Sequence, residues 1–376
     1  MNVGIITFHW SDNYGAVLQA HALQSFLQNQ GHETDIIDYR PEARKPSFRS
    51  KWLAKNPLHM ANKWRQNMEE TVAACQNRRR HALFEQFRVH HLMSTPDTFR
   101  LAGQLKDLAN RYDVVLTGSD QVWNPEFLWY LNSFDAYLAE FVGDKTKRIS
   151  YAASFGCSDV SSIRPEWREE MRTRLLLMDA ISVREPSGIE LVRELCGRTD
   201  AVQVADPTLL LDRAHYDRLA GDAGPKSGGL FSYLLHGLEQ TAEPLVYEVA
   251  ARNGWRVTHC NPQRKSFVST SSVLSPAKWL RAIRDADFVL TNSFHGIVFC
   301  LIFHTPFAVV PISGHKSAMN NRLTELLKAV GMDERITANI EVSHELTKTF
   351  INWPGVDQHL TAMRDRAIAF LSHNGL

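Results

Sequence analysis

The chain opens with an apolar run, a helical pattern and a second apolar run, and this order constrains the fold more than any other feature. Residues Val3–Phe8 form a short continuous apolar run, which is typical of a strand buried on both faces. A polar loop follows, and apolar residues then recur at helical spacing from Val17 to Leu27. The run Thr34–Tyr39 resembles a second strand. The pattern predicts a βαβ unit, in which two parallel strands are joined by a right-handed crossover.

The same alternation continues along the chain and indicates two α/β halves. In the first half, further apolar runs that end in small or polar residues lie at 113–117, 148–152, 180–183 and 201–205. In the second half, predicted strands at 230–235, 255–258, 288–291 and 307–310 alternate with helical patterns at 240–252, 276–286 and 296–304. Several glycines cluster between 212 and 228, so we place the junction there. The predicted halves are residues 1–215 and residues 216–376, the second ending in a helix.

The composition indicates a globular protein without a global electrostatic field. The 376 residues contain 42 Lys and Arg against 41 Asp and Glu, which argues against a dedicated nucleic-acid binder. The 5 cysteines are widely spaced and form no C-x-x-C, so we expect neither a disulfide framework nor a metal site. The N-terminus does not resemble a signal peptide, and no apolar run approaches the roughly 20 residues of a membrane span. We expect a soluble cytoplasmic protein.

One segment departs from this balance of charge. Residues 40–91 carry 12 Lys and Arg against 4 Glu, a local net charge of +8, and we expect a basic helical insertion at about 40–100. It is either a solvated insertion or a basic surface for an anionic or membrane-associated substrate. Near an anionic lipid surface each Lys or Arg contributes about 1 kcal/mol. The second interpretation implies peripheral contact with the inner face of the membrane.

A histidine follows one of the predicted strands of the second half. His295 stands in the sequence Asn292-Ser-Phe-His-Gly296, between a strand and a helix. The carboxyl edge of a parallel sheet and the N-terminus of a helix both favour ligand binding. The imidazole can exchange a proton near neutral pH, and the alternative is that His295 or Ser293 only caps the helix.

The first loop lies at the equivalent edge of the other half. Asp12 and Asn13 can cap the following helix, and Gly15 allows the backbone to approach a ligand closely. The loop does not contain G-x-G-x-x-G, so the sequence lacks a dinucleotide fingerprint there.

Polar and aromatic groups also follow two other strands of the first half. Asp120, Gln121 and Trp123 suit a sugar, because carbohydrate sites combine planar apolar faces with fixed polar groups, although a turn with a buried Trp123 is equally plausible. The planar guanidinium of Arg184 can bind a carboxylate or phosphate through two hydrogen bonds, or it can pair with its neighbour Glu185.

Taken together, these segments resemble the polysaccharide pyruvyl transferase family. The resemblance is carried by short segments in the same order as in the family, at 5–19, 118–124, 150–156, 182–185, 206–208 and 292–296. It implies a GT-B-like fold, in which two Rossmann-like parallel-sheet halves face a central cleft. It also implies an enzyme that transfers a pyruvyl group from phosphoenolpyruvate to a sugar, usually as a cyclic ketal.

The resemblance implies roles for individual residues. His295 matches the catalytic His of the family and is expected to be the proton donor, and Arg184 matches an Arg that binds the phosphate or carboxylate of the donor. Some members carry a second Arg two residues before the His, where this chain has Ser293 beside Asn292. Lys316 is the expected replacement cation. The acceptor sugar is expected at Asp12, Asn13, Asp120, Gln121 and Trp123.

No cofactor is expected apart from phosphoenolpyruvate as the donor substrate. The expected acceptor is a saccharide, either in an exopolysaccharide or in a polyprenyl-diphosphate-linked precursor. One alternative is a nucleotide-sugar glycosyltransferase or epimerase of the same shape, but the apolar run Ile297–Cys300 stands where an acidic residue would bind the ribose. The other is a non-catalytic carbohydrate-binding partner in which His295 is a helix cap.

Overall fold

The protein is built from two consecutive parallel β-sheets with helices packed against them. This computed structural model describes residues 1–42, 77–221, 226, 228–235, 242–260, 273–312 and 320–376. The α/β class with two parallel-sheet halves, predicted from the alternation of apolar runs and helical patterns, is confirmed.

The first sheet has the strand order β2-β1-β3-β4-β5-β6, and every neighbouring pair is parallel. Its strands are Asn2–Ile6 (β1), Glu33–Ile36 (β2), Val114–Thr117 (β3), Lys147–Ala153 (β4), Ala180–Val183 (β5) and Val202–Gln203 (β6). Because β1 has β2 on one side and β3 on the other, the loops after β1 and β3 diverge at a topological switch point, where open α/β sheets bind ligands.

The second sheet repeats this arrangement with the order β10-β9-β7-β8. Its strands are Leu230–Tyr233 (β7), Val257–His259 (β8), Phe288–Thr291 (β9) and Phe307–Val309 (β10), all in parallel pairs. Here β7 lies between β8 and β9, so the switch point is at the carboxyl ends of β7 and β9. The loop after β9 leads directly to His295.

The helices begin where the chain supplies capping groups. Those of the first half are Tyr14–Asn29 (α1), 77–91 (α2), Pro125–Tyr130 (α3), Phe134–Tyr137 (α4), Pro165–Leu175 (α5), Pro186–Cys196 (α6) and Arg213–Ala220 (α7). Those that follow are Ala242–Asn253 (α8), Pro276–Arg284 (α9), Phe294–Phe303 (α10), Asn320–Ala329 (α11), Ile340–Leu346 (α12) and Trp353–His373 (α13). Asn13 caps α1 by accepting from the Ala16 N–H, and Ser293 caps α10 by accepting from the Gly296 N–H.

One predicted boundary is wrong for an identifiable reason. The second strand was expected to reach Tyr39 but ends at Ile36, because the next residues pair instead with the segment 94–99 through the bridge between Tyr39 and Phe99. The glycines on which we place the junction follow α7. Asp212 caps that helix by accepting from the backbone N–H of His215, and the helix ends at Ala220, directly before Gly221.

The two halves pack against each other at the N-terminal end of α1. The Tyr14 ring stacks on Trp279 of α9, with centroids 4.9 Å apart and planes 5° from parallel. The Tyr14 hydroxyl donates to the carbonyl oxygen of Leu274 at 2.9 Å. α10 is apolar on all sides and buried along its whole length, which fixes the start of that helix, and therefore His295, against the first half.

The C-terminal helix α13 contacts both halves. Near its start, Asp357 Oδ1 lies 2.8 Å from His304 Nε2, and Trp353 stacks on the His304 ring with centroids 4.8 Å apart. Further along, Arg364 donates to the carbonyl oxygens of Leu209 and Leu211 at 2.6 and 3.1 Å. Among the described helices, none combines the length and apolar character that a bilayer-spanning helix needs.

A histidine pair joins α1 to α7. Nε2 of His21 lies 2.9 Å from Nε2 of His215, and Nδ1 of His21 lies 3.0 Å from the carbonyl oxygen of His91. The carbonyl requires a proton on Nδ1 of His21, so its Nε2 must accept the hydrogen bond from His215. A further proton on His21 would break that bond. Burial is the main cause that lowers the pKa of His21 from 6.5 to about 4.

We therefore expect His21 to make the protein less stable in acid. Its pKa is lower in the folded chain than in the unfolded chain, so unfolding takes up a proton and stability is lost as the pH falls from 6.5 towards 4. Between pH 7 and 4.5 the His21→Gln variant should lose less unfolding free energy than the wild type, by on the order of 1–3 kcal/mol. Denaturant titrations at several pH values measure this. The exposed His373→Gln is the matched control, and equal slopes for wild type and His21→Gln would contradict the prediction.

Candidate active site

A buried carboxylate at the end of the first sheet forms the centre of the site. Asp206 follows β6 and begins the short 3-10 turn Pro207–Leu209. Its Oδ1 accepts from the backbone N–H and the hydroxyl of Thr208 at 3.1 and 2.8 Å, and its Oδ2 accepts from the Ser119 hydroxyl at 2.9 Å. These bonds hold the carboxylate in one orientation.

His295 and Arg184 meet at this carboxylate from opposite halves. Nε2 of His295, in the first turn of α10, lies 3.4 Å from Oδ2 of Asp206, and Nη1 of Arg184, after β5, lies 3.4 Å from the same oxygen. Nε2 of His295 makes no well-aligned hydrogen bond with any described residue, so its contact with Asp206 is an electrostatic one. The sequence analysis singled out both residues, and the fold brings them together.

Burial and neighbouring charges have opposite effects on the pKa values of Asp206 and Arg184. Burial alone would raise the pKa of Asp206, but His295, Arg184 and the bond from Thr208 together bring it below its ordinary value. Burial would likewise lower the pKa of Arg184, but the carboxylates of Glu185, Asp206 and Asp120 raise it above its ordinary value. The site therefore holds an ionised carboxylate beside a charged guanidinium.

Arg184 is held on several sides and still has free hydrogen-bonding capacity. Its Nε donates to Glu185 at 2.8 Å, its Nη1 lies 4.0 Å from Asp120 Oδ1, and the guanidinium carbon lies 4.3 Å from the centre of the Phe294 ring. Its Nη2 is buried without a hydrogen-bond partner in the part of the chain that the structure describes. That N–H group is available to an anionic ligand.

The imidazole of His295 lies directly against the backbone of the first loop. A Cβ atom placed on Gly15 would come within 2.0 Å of Nδ1 of His295, so only glycine permits this approach. The loop after β1 and the start of α10 thus touch across the cleft.

The first-loop residues expected to bind the acceptor are engaged with the protein. Asp12 accepts from Arg88 Nη2 at 2.8 Å and lies 3.0 Å from Nδ1 of His81, both on α2, and Asn13 caps α1. Asp12 and Asn13 therefore fix the loop in this structure.

The loop after β3 divides into a surface part and a core part. Asp120 has a φ of +74°, which is strained for a residue other than glycine, and Gln121 accepts from the side chain of Asn124 at 2.8 Å. Trp123 is fully buried, and its indole N–H donates to the carbonyl oxygen of Tyr137 at 3.0 Å. The structure places Trp123 in the core, without an exposed face for a sugar.

The two residues before Phe294 also have structural partners. Asn292 donates from Nδ2 to the carbonyl oxygen of Leu235 at 2.6 Å, and Ser293 is the cap of α10. The expected replacement cation, Lys316, lies outside the described residues.

Asp206 and Ser119 are the residues that the sequence analysis missed. The segment Asp206–Thr208 contributed to the family resemblance, but no role was predicted for Asp206 itself. Its position directly after a predicted strand, at the edge where loops form a site, is the signal that could have identified it. Over the described ranges, no group of three or more His, Cys, Asp or Glu side chains is arranged to hold a metal ion.

Known structures with the same overall arrangement bind nucleotide sugars. UDP-GlcNAc 2-epimerase from Neisseria meningitidis bound to UDP-GlcNAc is similar with a TM-score of 0.54 and 10% identity over 99% of this chain and 100% of that chain. UDP-GlcNAc 2-epimerase from Methanocaldococcus jannaschii in complex with UDP-GlcNAc and UDP has a TM-score of 0.49 and 12% identity over 96% and 99% of the two chains. At 10% identity the similarity to the Neisseria meningitidis structure shows the fold alone, which is GT-B-like.

A search of curated proteins gave no match. The family model for polysaccharide pyruvyl transferase matches residues 13–314, which cover most of the chain and include Arg184, Asp206 and His295. This chain therefore belongs to the polysaccharide pyruvyl transferase family.

Proposed function

We propose that this protein transfers a pyruvyl group from phosphoenolpyruvate to two hydroxyl groups of a saccharide, forming a ketal. The observation that supports this most directly is the meeting of His295 and Arg184 at the buried Asp206. A proton donor and an anion-binding cation stand on opposite sides of one cleft, and the reaction requires both.

The reaction balance defines these requirements. One proton is added to the methylene carbon of phosphoenolpyruvate, two C–O bonds form to the sugar, and the C–O bond to phosphate breaks. The two hydroxyls lose their protons. One of these protons makes up for the proton added to the methylene carbon, and the other leaves with the phosphate. The site must therefore supply an acid near the methylene carbon and cations near the phosphate and carboxylate groups.

His295 and Arg184 are suited to these two roles. Nε2 of His295 lies 3.4 Å from the carboxylate of Asp206, and the imidazole would donate a proton to the methylene carbon. Arg184 keeps its charge, and its buried Nη2 has no hydrogen-bond partner among the described residues, so an oxygen of the donor would satisfy it.

The start of α10 gives no support for nucleotide-sugar chemistry. All ten residues of Phe294–Phe303 are buried, and none is acidic. The helix therefore offers no carboxylate to the hydroxyls of a ribose, and a pyruvyl transferase remains the function that the site supports best.

The Arg184→Lys variant should bind phosphoenolpyruvate more weakly. Lysine keeps the positive charge that the surrounding carboxylates need but loses the planar pair of N–H groups, so we expect KM for phosphoenolpyruvate to rise roughly tenfold or more. Steady-state kinetics measure this. The control is Arg174→Lys, because Arg174 pairs with Asp135 at 2.6 Å in another part of the first half. Equal KM values for Arg184→Lys and the control would exclude the assigned role.

The His295→Gln variant should lose turnover while it still binds the donor. Removal of a general acid typically costs about 10²–10⁴-fold in rate, so kcat should fall by this factor, and the thermal stabilisation by phosphoenolpyruvate should persist. Full activity of this variant would rule out proton donation by His295.

Asp206→Asn distinguishes the proton-transfer role from a structural one. Without the negative charge, His295 loses the contact at 3.4 Å that holds it at the site, so steady-state kinetics should show a lower kcat while phosphoenolpyruvate still stabilises the protein in thermal melts. Loss of thermal stability together with loss of phosphoenolpyruvate binding would indicate that Asp206 only supports the fold.

The basic segment supports a lipid-linked acceptor at an anionic membrane surface. Residues 43–76 lie outside the described part of the chain, but Arg78 and Arg79 are exposed at the start of the described part of α2. Their replacement by Gln should reduce binding to phosphatidylglycerol vesicles roughly 30-fold, at about 1 kcal/mol for each charge. Vesicle co-sedimentation measures this. The matched control replaces the exposed Arg172 and Arg193, and equal losses in the two variants, or no binding by the wild type, would contradict the proposal.

A further inference from the structure

A pocket beside the Asp206 cluster is lined by both halves of the protein. It is a small, partly open pocket between the loop 154–158 after β4, Glu185 and Ser187 at the start of α6, and Arg322 on α11. Glu185 is also the residue that accepts from Arg184 at 2.8 Å. One side chain therefore connects this pocket to the proposed donor site.

Arg322 is a cation without a direct partner in this pocket. Its Nε is buried and has no hydrogen-bond partner, and no carboxylate in the described ranges forms an ion pair with it. Glu325, one turn later on α11, does not pair with it either. Arg322 as a whole is half-buried, but its Nε–H group is shielded from water, and leaving a buried N–H group without a partner is costly, so a ligand in the pocket would satisfy it.

The surrounding charges leave Arg322 short of an anion. Burial, followed by the positive charge of Arg184, lowers the pKa of Arg322 to about 10, although Glu185 and Asp120 act in the opposite direction. Glu185 is already held by Arg184, so its charge is largely compensated. An anion in the pocket would give Arg322 the negatively charged partner that it lacks.

The start of α6 also borders the pocket, with Ser187 at the pocket wall. The residue that precedes the helix is Glu185, and its first residue is Pro186, which has no N–H. The negative charge of Glu185 offsets the partial positive charge of the helix N-terminus, so the positive charge at the pocket comes from Arg322.

We infer that Arg322 forms a second anion-binding subsite in this pocket, which takes one anionic group of the donor while Arg184 takes the other. The inference rests on the proposed function for the identity of that donor. It also supplies a cation for the role expected of Lys316. Ser293 cannot fill this role, because it is uncharged and its hydroxyl caps α10.

The subsite also lies where the two halves meet. Asn321 Nδ2 on α11 donates to the Ser158 hydroxyl at 3.2 Å, at the edge of the same pocket. An anion bound by Arg322 would therefore lie between α11 of the second half and the loop after β4 of the first half.

Thermal melting with ligand titration tests the subsite. The proteins are the wild type, Arg322→Gln, Arg322→Lys and Arg184→Lys, together with Lys328→Gln as a matched control that removes an exposed charge from the same helix. The ligands are phosphoenolpyruvate, inorganic phosphate and pyruvate. We expect Arg322→Gln to need about 10–100 times more phosphoenolpyruvate for half-maximal stabilisation, Arg322→Lys to be intermediate, and Lys328→Gln to match the wild type.

Steady-state kinetics, together with inorganic phosphate and pyruvate as ligands, show which group of the donor Arg322 binds. KM for phosphoenolpyruvate should rise in Arg322→Gln by the same factor as the titration midpoint, with kcat changed only a few-fold. A stabilisation by inorganic phosphate that disappears in Arg322→Gln assigns the phosphate group to the subsite, and the same result with pyruvate assigns the carboxylate.

The two proposals can fail separately. If phosphoenolpyruvate binding depends on Arg184 but is unchanged in Arg322→Gln and Arg322→Lys, the subsite is wrong and the proposed function stands. If the wild type neither binds nor turns over phosphoenolpyruvate, but is stabilised by inorganic phosphate only when Arg322 is present, the proposed function is wrong and the anion site stands.

Discussion

The site depends on the desolvated carboxylate of Asp206. A buried charge is tolerated only when its partners replace the lost water, and here Ser119, Thr208 and Arg184 of the first half provide most of that replacement. The second half adds His295, whose Nε2 lies 3.4 Å from the same carboxylate. The charge of Asp206 therefore links the packing of the two halves to the position of the proposed proton donor.

Much of the fold can be predicted because buried parallel strands appear as short apolar runs. The strands 180–183 and 288–291 were predicted with the bounds observed, since polar or small residues end them at once. The end of β2 could not be predicted, because it depends on pairing with a segment about sixty residues later in the chain. His295 and Arg184 were identified because both follow strands at the carboxyl edge of a sheet.

The rest of the site depends on how the halves dock, which local sequence does not specify. Arg322 lies on an ordinary amphipathic helix, and only the fold shows that it faces a pocket rather than water. Trp123 illustrates the reverse case, because its sequence neighbours are polar but its indole is satisfied by the carbonyl oxygen of Tyr137 inside the core. In both cases the decisive contact is tertiary.

The helix α13 ties the C-terminal end of the chain back to the first half. The chain passes between the halves once after α7 and again along α13, whose Arg364 is bonded to the carbonyl oxygens of Leu209 and Leu211. Asp206 lies only three residues before Leu209. The last helix of the chain is therefore anchored to the turn that carries the buried carboxylate, so damage to α13 would reach the site without touching any of its side chains.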